Sequence, residues 1–297
     1  MTKNNLGERV AVITGGNSGI GFTLAQRLVQ TYPNIRLCLA CRNQDRASMA
    51  AKSLKQLSSS AEIQIVILDT SCMKSVYSAA LEIKNRYTHI DLLYLNAGMM
   101  VVTGVDWNYV ITSFFSSRVF HMLTTGEGAL KHRDWETSDG LQAVFQTNLF
   151  GHYVLIKELE PVLGSSSNGF SSSQIIWTSS SAAQDYQFSD DDIQHKNGKN
   201  PYSSSKYATD IVSVGLNSRM NKQMRLFVPS LTTSTLNGSE ALFWLSNQDP
   251  RTLDSQTKYR SLVNVFGKAY VSNEKMKIDP DYAENLLVQL DKLQADL

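Results

Sequence analysis

Short apolar runs alternate along this chain with longer segments in which apolar residues recur at helical spacing. The runs have the length of buried strands and lie at residues 10–14, 35–41, 62–68, 91–95 and 174–178. Between them, segments of helix length lie at residues 19–32, 44–57, 73–87 and 138–163. Regular alternation of strands and helices is typical of βαβ units. We therefore predict an α/β fold with a doubly wound, mostly parallel sheet, formed by residues 1–297 as a single domain.

Composition restricts the classes of protein that such a chain can belong to. It has 297 residues, of which 42% are hydrophobic and 19% are charged, as in ordinary globular proteins. A net charge of +1 without a basic run argues against a nucleic-acid partner. The polar first residues contain no secretory signal, and no run reaches the roughly 18 apolar residues that a membrane span needs.

The cysteines are few and odd in number, which indicates a reducing compartment. Cys38 and Cys41 form a C-x-x-C motif, but both lie in a predicted strand. Residues three apart on a strand point to opposite faces, so we expect no redox pair.

A glycine-rich turn follows the first predicted strand and precedes a predicted helix. Its glycines have the spacing G-x-x-x-G-x-G. Glycine permits a tight turn and lets the backbone approach a pyrophosphate, which the N–H groups at the helix N-terminus then bind. A purely structural turn is the alternative. The strand–turn–helix context favours a dinucleotide site of the Rossmann-like type, formed by Thr14, Gly15, Asn17, Ser18, Gly19, Ile20 and Gly21.

The ends of the next three strands carry residues that could contact the rest of the dinucleotide. The second strand ends at Arg42 and lacks the acid that NAD sites usually place there, and a guanidinium suits a 2′-phosphate. We therefore predict NADPH/NADP+ as the cofactor, with a solvated Arg42 as the alternative. Asp69 could accept a hydrogen bond from the adenine amine, and Asn96, Ala97 and Gly98 could lie beside the ribose and nicotinamide. A helix cap or a turn is the alternative for these residues.

Four further residues suggest proton transfer. Tyr202 and Lys206 are four positions apart, so they share one face of a helix. A nearby ammonium favours the phenolate form, which makes Tyr202 a candidate proton carrier near neutral pH. Ser180 follows the fifth strand, where its hydroxyl could bind a carbonyl oxygen, and Asn148 could hold a water that relays protons to Lys206. The Y-x-x-x-K spacing alone is common, and its position after the other motifs gives it weight.

Together these motifs resemble those of the short-chain dehydrogenase/reductase family. They are T-G-x-x-x-G-I-G at 14–21, N-A-G at 96–98, Asn148, Ser180, and Y-x-x-x-K at 202–206. Within the family the chain is most similar to the branch of 3-keto-steroid reductases and 17β-hydroxysteroid dehydrogenases. That similarity lies in DGLQAVFQTNLFGHYVLIKELEP (139–161), IIWTSSSA (175–182), PYSSSKYATD (201–210) and NGSEALFWL (237–245).

The resemblance implies an NADPH-dependent reduction of a steroid or sterol ketone. The reacting group would be the C3 carbonyl of a 4-demethylated sterol or the C17 ketone of estrone. Tyr202 would protonate the developing alkoxide, Ser180 would steady its oxygen, and Lys206 would lower the pKa of the tyrosine and bind the nicotinamide ribose. The resemblance also implies the cytosolic face of the endoplasmic reticulum membrane and a homodimer formed by the long helices at 138–163 and 202–222. Reduction of another lipid carbonyl, such as a retinoid, stays open.

A family-specific insert at about 99–136 carries a cluster of apolar residues, which are Phe114, Phe115, Val119, Phe120, Met122 and Leu123. This cluster could line a steroid pocket or contact a membrane, and a buried helix fits equally well. His121 and His132 fit surface or packing positions better than ligand positions. No cluster of potential ligands has metal-site spacing, so we predict no metal.

The chain departs from the family after the catalytic helix, where the region of about 222–236 is shortened. Pro229 is followed by Ser230, where the family has Pro-Gly. We expect the sixth strand and this turn to be missing, which would leave neighbouring strands unpaired and the C-terminal elements poorly docked. The alternative to an active reductase is therefore a catalytically impaired variant that only binds NADP(H) or a protein partner.

Overall fold

Eight strands form one twisted sheet in the computed structural model, which describes residues 9–114, 128–164, 173–219, 225–230, 238–264 and 266–297. The strand order is β10-β9-β8-β7-β4-β1-β2-β3, and every pair is parallel except β9–β10. A separate antiparallel pair joins β5 to β6. The strands are β1 (Val10–Thr14), β2 (Arg36–Cys41), β3 (Glu62–Ile67), β4 (Leu92–Leu95), β5 (Val102–Val105), β6 (Leu130–His132), β7 (Gln174–Trp177), β8 (Arg225–Ser230), β9 (Thr257–Val263) and β10 (Ala269–Lys275).

Helices cover both faces of this sheet. They are α1 (Gly19–Thr31), α2 (Gln44–Leu57), α3 (Met73–Arg86), α4 (Trp107–Phe114), α5 (an α-helical turn Ala143–Phe145, a π-helical segment Gln146–Phe150 and an α-helix Gly151–Leu159), α6 (Pro201–Arg219), α7 (Glu240–Leu245) and α8 (Pro280–Ala295). One apolar core lies between the sheet and α3, α5, α6 and α8, and a second lies between the sheet and α1, α2 and α7. The predicted doubly wound α/β fold is confirmed.

The predicted strands agree with the observed ones to within one residue at each end, because each is rich in apolar residues and is flanked by polar or turn residues. Cys38 packs into the first core and Cys41 into the second, so the two thiols lie on opposite faces of β2 as predicted.

The helix predicted at 138–163 begins five residues later, at Ala143. Gly140 adopts a positive φ of 75°, which interrupts a helix. Asp139 instead accepts hydrogen bonds from the Met73 N–H at the start of α3, at 2.8 Å, and from the Gln146 side chain, at 2.6 Å. The segment before α5 therefore caps a neighbouring helix.

The expectation that the sixth strand is missing is wrong. Strand β8 lies between β7 and β9 and is parallel to both, with Gln174 opposite Arg225 and Val228 opposite Lys258. The shortened chain can do this because β7 offers only a few backbone groups, and six extended residues are enough to pair with them. The connection that follows, at 231–237, lies outside the described residues.

The C-terminal elements, which we expected to dock poorly, are packed tightly. Leu287 of α8 is fully buried against α6, where a Cβ on Gly215 would lie only 2.8 Å from its Cδ1. Arg219 at the end of α6 binds Asp291 at 2.7 Å and Glu284 at 2.7 Å. The outer face of α6, predicted to form a dimer contact, thus carries α8, and the homodimer stays a prediction.

Among the helices within the described residues, none has both the length and the apolar character needed to cross a lipid bilayer.

The packing of α8 onto α6 predicts a contrast between two adjacent positions. Leu287→Ala should lower the free energy of unfolding by about 2–5 kcal/mol, because it leaves a cavity in the core. Val288→Ala, on the exposed face with 56% exposure, should change it by less than about 0.5 kcal/mol. Chemical denaturation of both variants measures this, and equal effects would show that α8 is not docked as described.

Candidate active site

The carboxyl ends of β1, β4 and β7 lie next to one another because these strands are parallel neighbours. Each of the three predicted motifs that follow them is therefore brought to the same edge of the sheet: the glycine turn at 15–21, the N-A-G segment at 96–98, and Ser180. In an open α/β sheet, ligands bind in the crevice outside this edge.

The glycine turn has the geometry of an anion-binding loop. Gly15 and Gly19 adopt positive φ angles of 67° and 56°, and a Cβ on Gly21 would lie 2.5 Å from the Gly15 carbonyl oxygen. The N-cap of α1, Ser18, makes no side-chain capping bond, and the first turn of α1 contains no acid. The free N–H groups at this helix end fit the pyrophosphate of a dinucleotide.

Thr14 joins the glycine turn to the N-A-G segment. Its buried hydroxyl oxygen accepts hydrogen bonds from the backbone N–H groups of Asn96 and Ala97, each at 2.9 Å. The same oxygen lies 3.0 Å from Nε2 of His152 on α5. Burial lowers the pKa of His152 to about 3, so the ring is neutral and the threonine hydroxyl donates to Nε2. Sequence reasoning missed His152, although it lies one helical turn after Asn148.

Arg42 and Asp69 lie together at the edge of the predicted adenosine site. Arg42 Nη1 is 3.9 Å from Asp69 Oδ2, and the Arg42 side chain is 77% exposed. Asp69 Oδ1 accepts hydrogen bonds from the Ser71 N–H at 2.9 Å and from the Ser71 hydroxyl at 2.6 Å. One carboxylate oxygen of Asp69 therefore stabilises its own turn, and the other faces the guanidinium. Both predicted cofactor contacts stay predictions.

Tyr202, Lys206 and Ser180 converge as the sequence predicts. Lys206 Nζ lies 5.8 Å from the centre of the Tyr202 ring and donates a 2.8 Å hydrogen bond to the carbonyl of Thr178. The Ser180 side chain lies close enough to the Tyr202 phenol to lower its pKa by hydrogen bonding. The three residues thus lie next to one another at this edge of the sheet, and their catalytic roles stay predictions.

Burial sets the protonation of these groups. Desolvation raises the pKa of Tyr202 and is partly offset by the hydrogen bond with Ser180. Desolvation also lowers the pKa of Lys206 to about 8, against the attraction of Asp210, while Lys258 adds to the lowering. Without a bound cofactor, Tyr202 is therefore a protonated phenol at neutral pH.

Asn148 lies in the π-helical segment of α5, a form that is frequent at functional sites. Its Oδ1 accepts the Met99 N–H at 2.7 Å, and its Nδ2 donates to the Met99 carbonyl and to the Ser205 hydroxyl, both at 3.0 Å. The side chain thus fastens the segment after N-A-G to α6. The predicted relay water would have to bind the backbone carbonyl of Asn148, which His152 Nδ1 approaches at 3.4 Å.

Two charged residues next to the site have no motif that would have revealed them. Asp210 follows Lys206 by one turn of α6, and Lys258 lies in β9. They form a buried ion pair at 2.7 Å. A lysine within an otherwise ordinary strand gives no sequence signal of its partner.

The insert supplies exposed apolar side chains and one wall of a cavity. Trp107 and Ile111 of α4 are 68% and 57% exposed. A cavity of about 830 Å³ lies between the β5–β6 pair and the residues before α6, lined among others by Tyr109, Leu130 and Pro201. The predicted apolar residues Phe115, Val119, Phe120, Met122 and Leu123, with His121, lie outside the described residues.

Known proteins resemble this chain over most of its length. The 3-keto-steroid reductase/17-beta-hydroxysteroid dehydrogenase 7 of Homo sapiens is 40% identical over 321 aligned positions, covering 96% of this chain and 93% of the relative. The 3-keto-steroid reductase erg27 of Schizosaccharomyces pombe is 30% identical and covers 77% of this chain and 69% of the relative. A solved metagenomic short-chain oxidoreductase in complex with NADP has a TM-score of 0.58 and 18% identity, covering 85% of this chain and 96% of that one.

The human relative also differs from this chain in length. Its alignment spans 321 positions against the 297 residues of this chain, so at least 24 of its aligned positions have no counterpart here.

A family model described as short chain dehydrogenase matches residues 9–225, which include the glycine turn, the N-A-G segment and the Tyr202–Lys206 pair. The chain therefore belongs to the short-chain dehydrogenase family.

Proposed function

We propose that this protein is an NADPH-dependent reductase of a steroid or sterol ketone. The observation that carries the proposal is the convergence of Tyr202, Ser180 and Lys206 beside the glycine turn. The names of the human and S. pombe relatives support the substrate class, since both are 3-keto-steroid reductases. A 3-keto-sterol is the preferred substrate, and estrone is the alternative within the same class.

The residues present suit the addition of a hydride and a proton to a carbonyl group. A nicotinamide dinucleotide, when bound, supplies the hydride to the carbonyl carbon. Tyr202 gives its phenolic proton to the oxygen as negative charge develops there, and Ser180 donates a hydrogen bond to the same oxygen. Lys206 holds a positive charge close by, which stabilises the phenolate left after transfer. The product is the corresponding alcohol.

The protonation state of Tyr202 without cofactor is the one that ketone reduction requires. Because burial raises the pKa of Tyr202, the phenol is protonated and ready to act as an acid at neutral pH. Oxidation of an alcohol would need the phenolate, which this environment disfavours until positive charge arrives with the oxidised cofactor.

The preference for NADPH over NADH rests on Arg42. Its exposed guanidinium lies at the end of β2, where a 2′-phosphate would be placed, and Asp69 is the only acid within ion-pair distance of it in the described part of the chain. A guanidinium binds phosphate through charge and paired donors.

The exposed apolar side chains of α4 support a proposal for the location of this protein. We propose peripheral attachment to the cytosolic face of the endoplasmic reticulum membrane, since the exposed Trp107 and Ile111 on α4 could enter a lipid interface. Self-association as a homodimer is part of the same proposal.

A second candidate is a cofactor-binding variant with little turnover. Only residues 231–237 separate β8 from Gly238, which packs against Ile20 of the glycine turn, and Pro229 lacks the glycine that follows it in the family. This short connection leaves few residues to cover a bound substrate.

Tyr202→Phe tests the catalytic assignment. The wild type should consume NADPH when a 3-keto-sterol is added, and the variant should lose at least about 10²-fold in kcat, because no group replaces the proton. NADPH binding, measured by its fluorescence, should be retained. Tyr77→Phe, on the exposed face of α3, is the matched control. Binding without turnover of any steroid ketone by the wild type would favour the second candidate.

Arg42→Ala tests the cofactor preference. Loss of a charge-assisted hydrogen bond worth about 1.5–3 kcal/mol should raise the KM for NADPH about 10- to 100-fold and leave that for NADH nearly unchanged. Lys52→Ala, an exposed cation on α2, should change neither. A parallel rise for both cofactors would contradict a role in phosphate binding.

The titration of Lys206 should determine how activity declines at alkaline pH. Its ammonium is present below its pKa of about 8 and is lost as the pH rises through that value. We expect kcat/KM for NADPH to fall above about pH 8, because this quantity reports the ionisation of the free enzyme. A profile that stays flat well past pH 8 would exclude Lys206 from cofactor binding.

A further inference from the structure

A second lysine lies buried beside the proposed catalytic residues. Lys258 belongs to β9, and its side chain is only 7% exposed. Its ammonium lies 2.7 Å from Asp210 Oδ2 and donates a 3.0 Å hydrogen bond to the carbonyl of Ser180. Lys258 thereby contacts the segment that carries Ser180 and, through Asp210, the helix that carries Tyr202 and Lys206.

Asp210 completes this group of contacts from α6. Its Oδ1 accepts a hydrogen bond from the Ser179 hydroxyl at 2.7 Å, and Ser179 Oγ also lies 3.4 Å from the carbonyl of Lys206. Asp210 and Ser179 are 5% and 0% exposed. The end of β7, helix α6 and strand β9 therefore meet in one hydrogen-bonded group that is almost inaccessible to solvent.

Stability alone does not account for such a pair. Desolvation of two charges offsets most of their attraction, and apolar residues of the same volume often serve as well. The pair holds the Ser180 backbone in one position and places two charges close to Lys206. The carbonyl that Lys258 holds belongs to Ser180 itself, so the backbone that directs the Ser180 hydroxyl toward Tyr202 is restrained.

We propose that Lys258 is a positioning residue for ketone reduction, which, paired with Asp210, fixes the Ser180 backbone and sets the electrostatic field at Lys206. The inference rests on the proposed function for the roles of Ser180 and Lys206. Its electrostatic part, the effect of two buried charges on Lys206, does not depend on the substrate.

Four titratable groups face Lys206. Tyr202 and Asp210 belong to the same helix, His152 faces it from α5, and Lys258 from β9. Burial keeps His152 neutral. Asp210 raises the pKa of Lys206 and Lys258 lowers it, and the effect of Asp210 is the larger. Removal of Asp210 should therefore lower the pKa of Lys206, and removal of Lys258 should raise it.

The test compares the wild type with Lys258→Met, Asp210→Asn and the double variant. Lys84→Met is the matched control, because Lys84 pairs with Glu158 at 3.2 Å between α3 and α5, away from the site. NMR of protein labelled with carbon-13 lysine follows the titration of Lys206, whose signal is identified by its absence from Lys206→Met. This measurement needs no substrate. Thermal unfolding and steady-state kinetics with NADPH and a 3-keto-sterol complete the set.

We expect the Lys206 titration to move to higher pH in Lys258→Met and to lower pH in Asp210→Asn, and to stay unchanged in Lys84→Met. Each single variant should unfold at a lower temperature, because it leaves a buried charge unpaired, and the double variant should recover. Its kcat should nevertheless stay reduced by up to about 10²-fold, as for a displaced catalytic group.

Two results would overturn the proposal. One is an unchanged Lys206 titration in Lys258→Met, or in the double variant should the single ones fail to fold. The other is a double variant that matches the wild type in both kcat and the Lys206 titration, which would make the pair a structural feature alone. A wild type that reduces no steroid ketone would refute the proposed function, and the opposite NMR shifts would still decide the electrostatic part.

Discussion

The site depends on one buried hydroxyl group. Thr14 Oγ1 accepts hydrogen bonds from two backbone N–H groups in the segment after β4 and donates one to His152, so a single oxygen links β1, β4 and α5. A hydroxyl can do this because it accepts twice and donates once. Alanine or valine at this position would leave two partly buried N–H groups without their protein partner, and an unpaired group costs up to about 1–3 kcal/mol when it is fully buried. The glycine turn and the N-A-G segment keep their separation through this contact.

Exclusion of water gives the catalytic residues their properties. Tyr202 and Lys206 are both shifted toward their neutral forms by burial, and Asp210, the charge that opposes this shift at Lys206, is itself buried. In such surroundings a charge acts over a longer distance than it does in water. The π-helical segment of α5 adds a geometric contribution, because it turns Asn148 onto the Met99 backbone and away from solvent.

Most of the fold could be predicted from the sequence, because buried parallel strands are continuous apolar runs and their order along the chain limits the topology. The residues of the site could be predicted where they follow strands or share a helical face, as with Ser180 and the pair Tyr202 and Lys206. His152, Asp210 and Lys258 could not, since each acts through a partner distant in sequence. Strand β8 was missed for a different reason. The chain is shorter here than its family, which suggested that a strand was absent, but the sheet requires only enough extended backbone to pair with β7.

The position of α8 has a consequence for how copies of this protein could associate. The leucines of α8 already cover the outer surface of α6, and Arg219 of α6 forms ion pairs with two acids of α8. One helical surface cannot be covered twice. Two molecules that associated through α6 would have to displace α8 or exchange it. An exchanged α8 would form the same contacts with α6 of the other molecule, as in domain swapping.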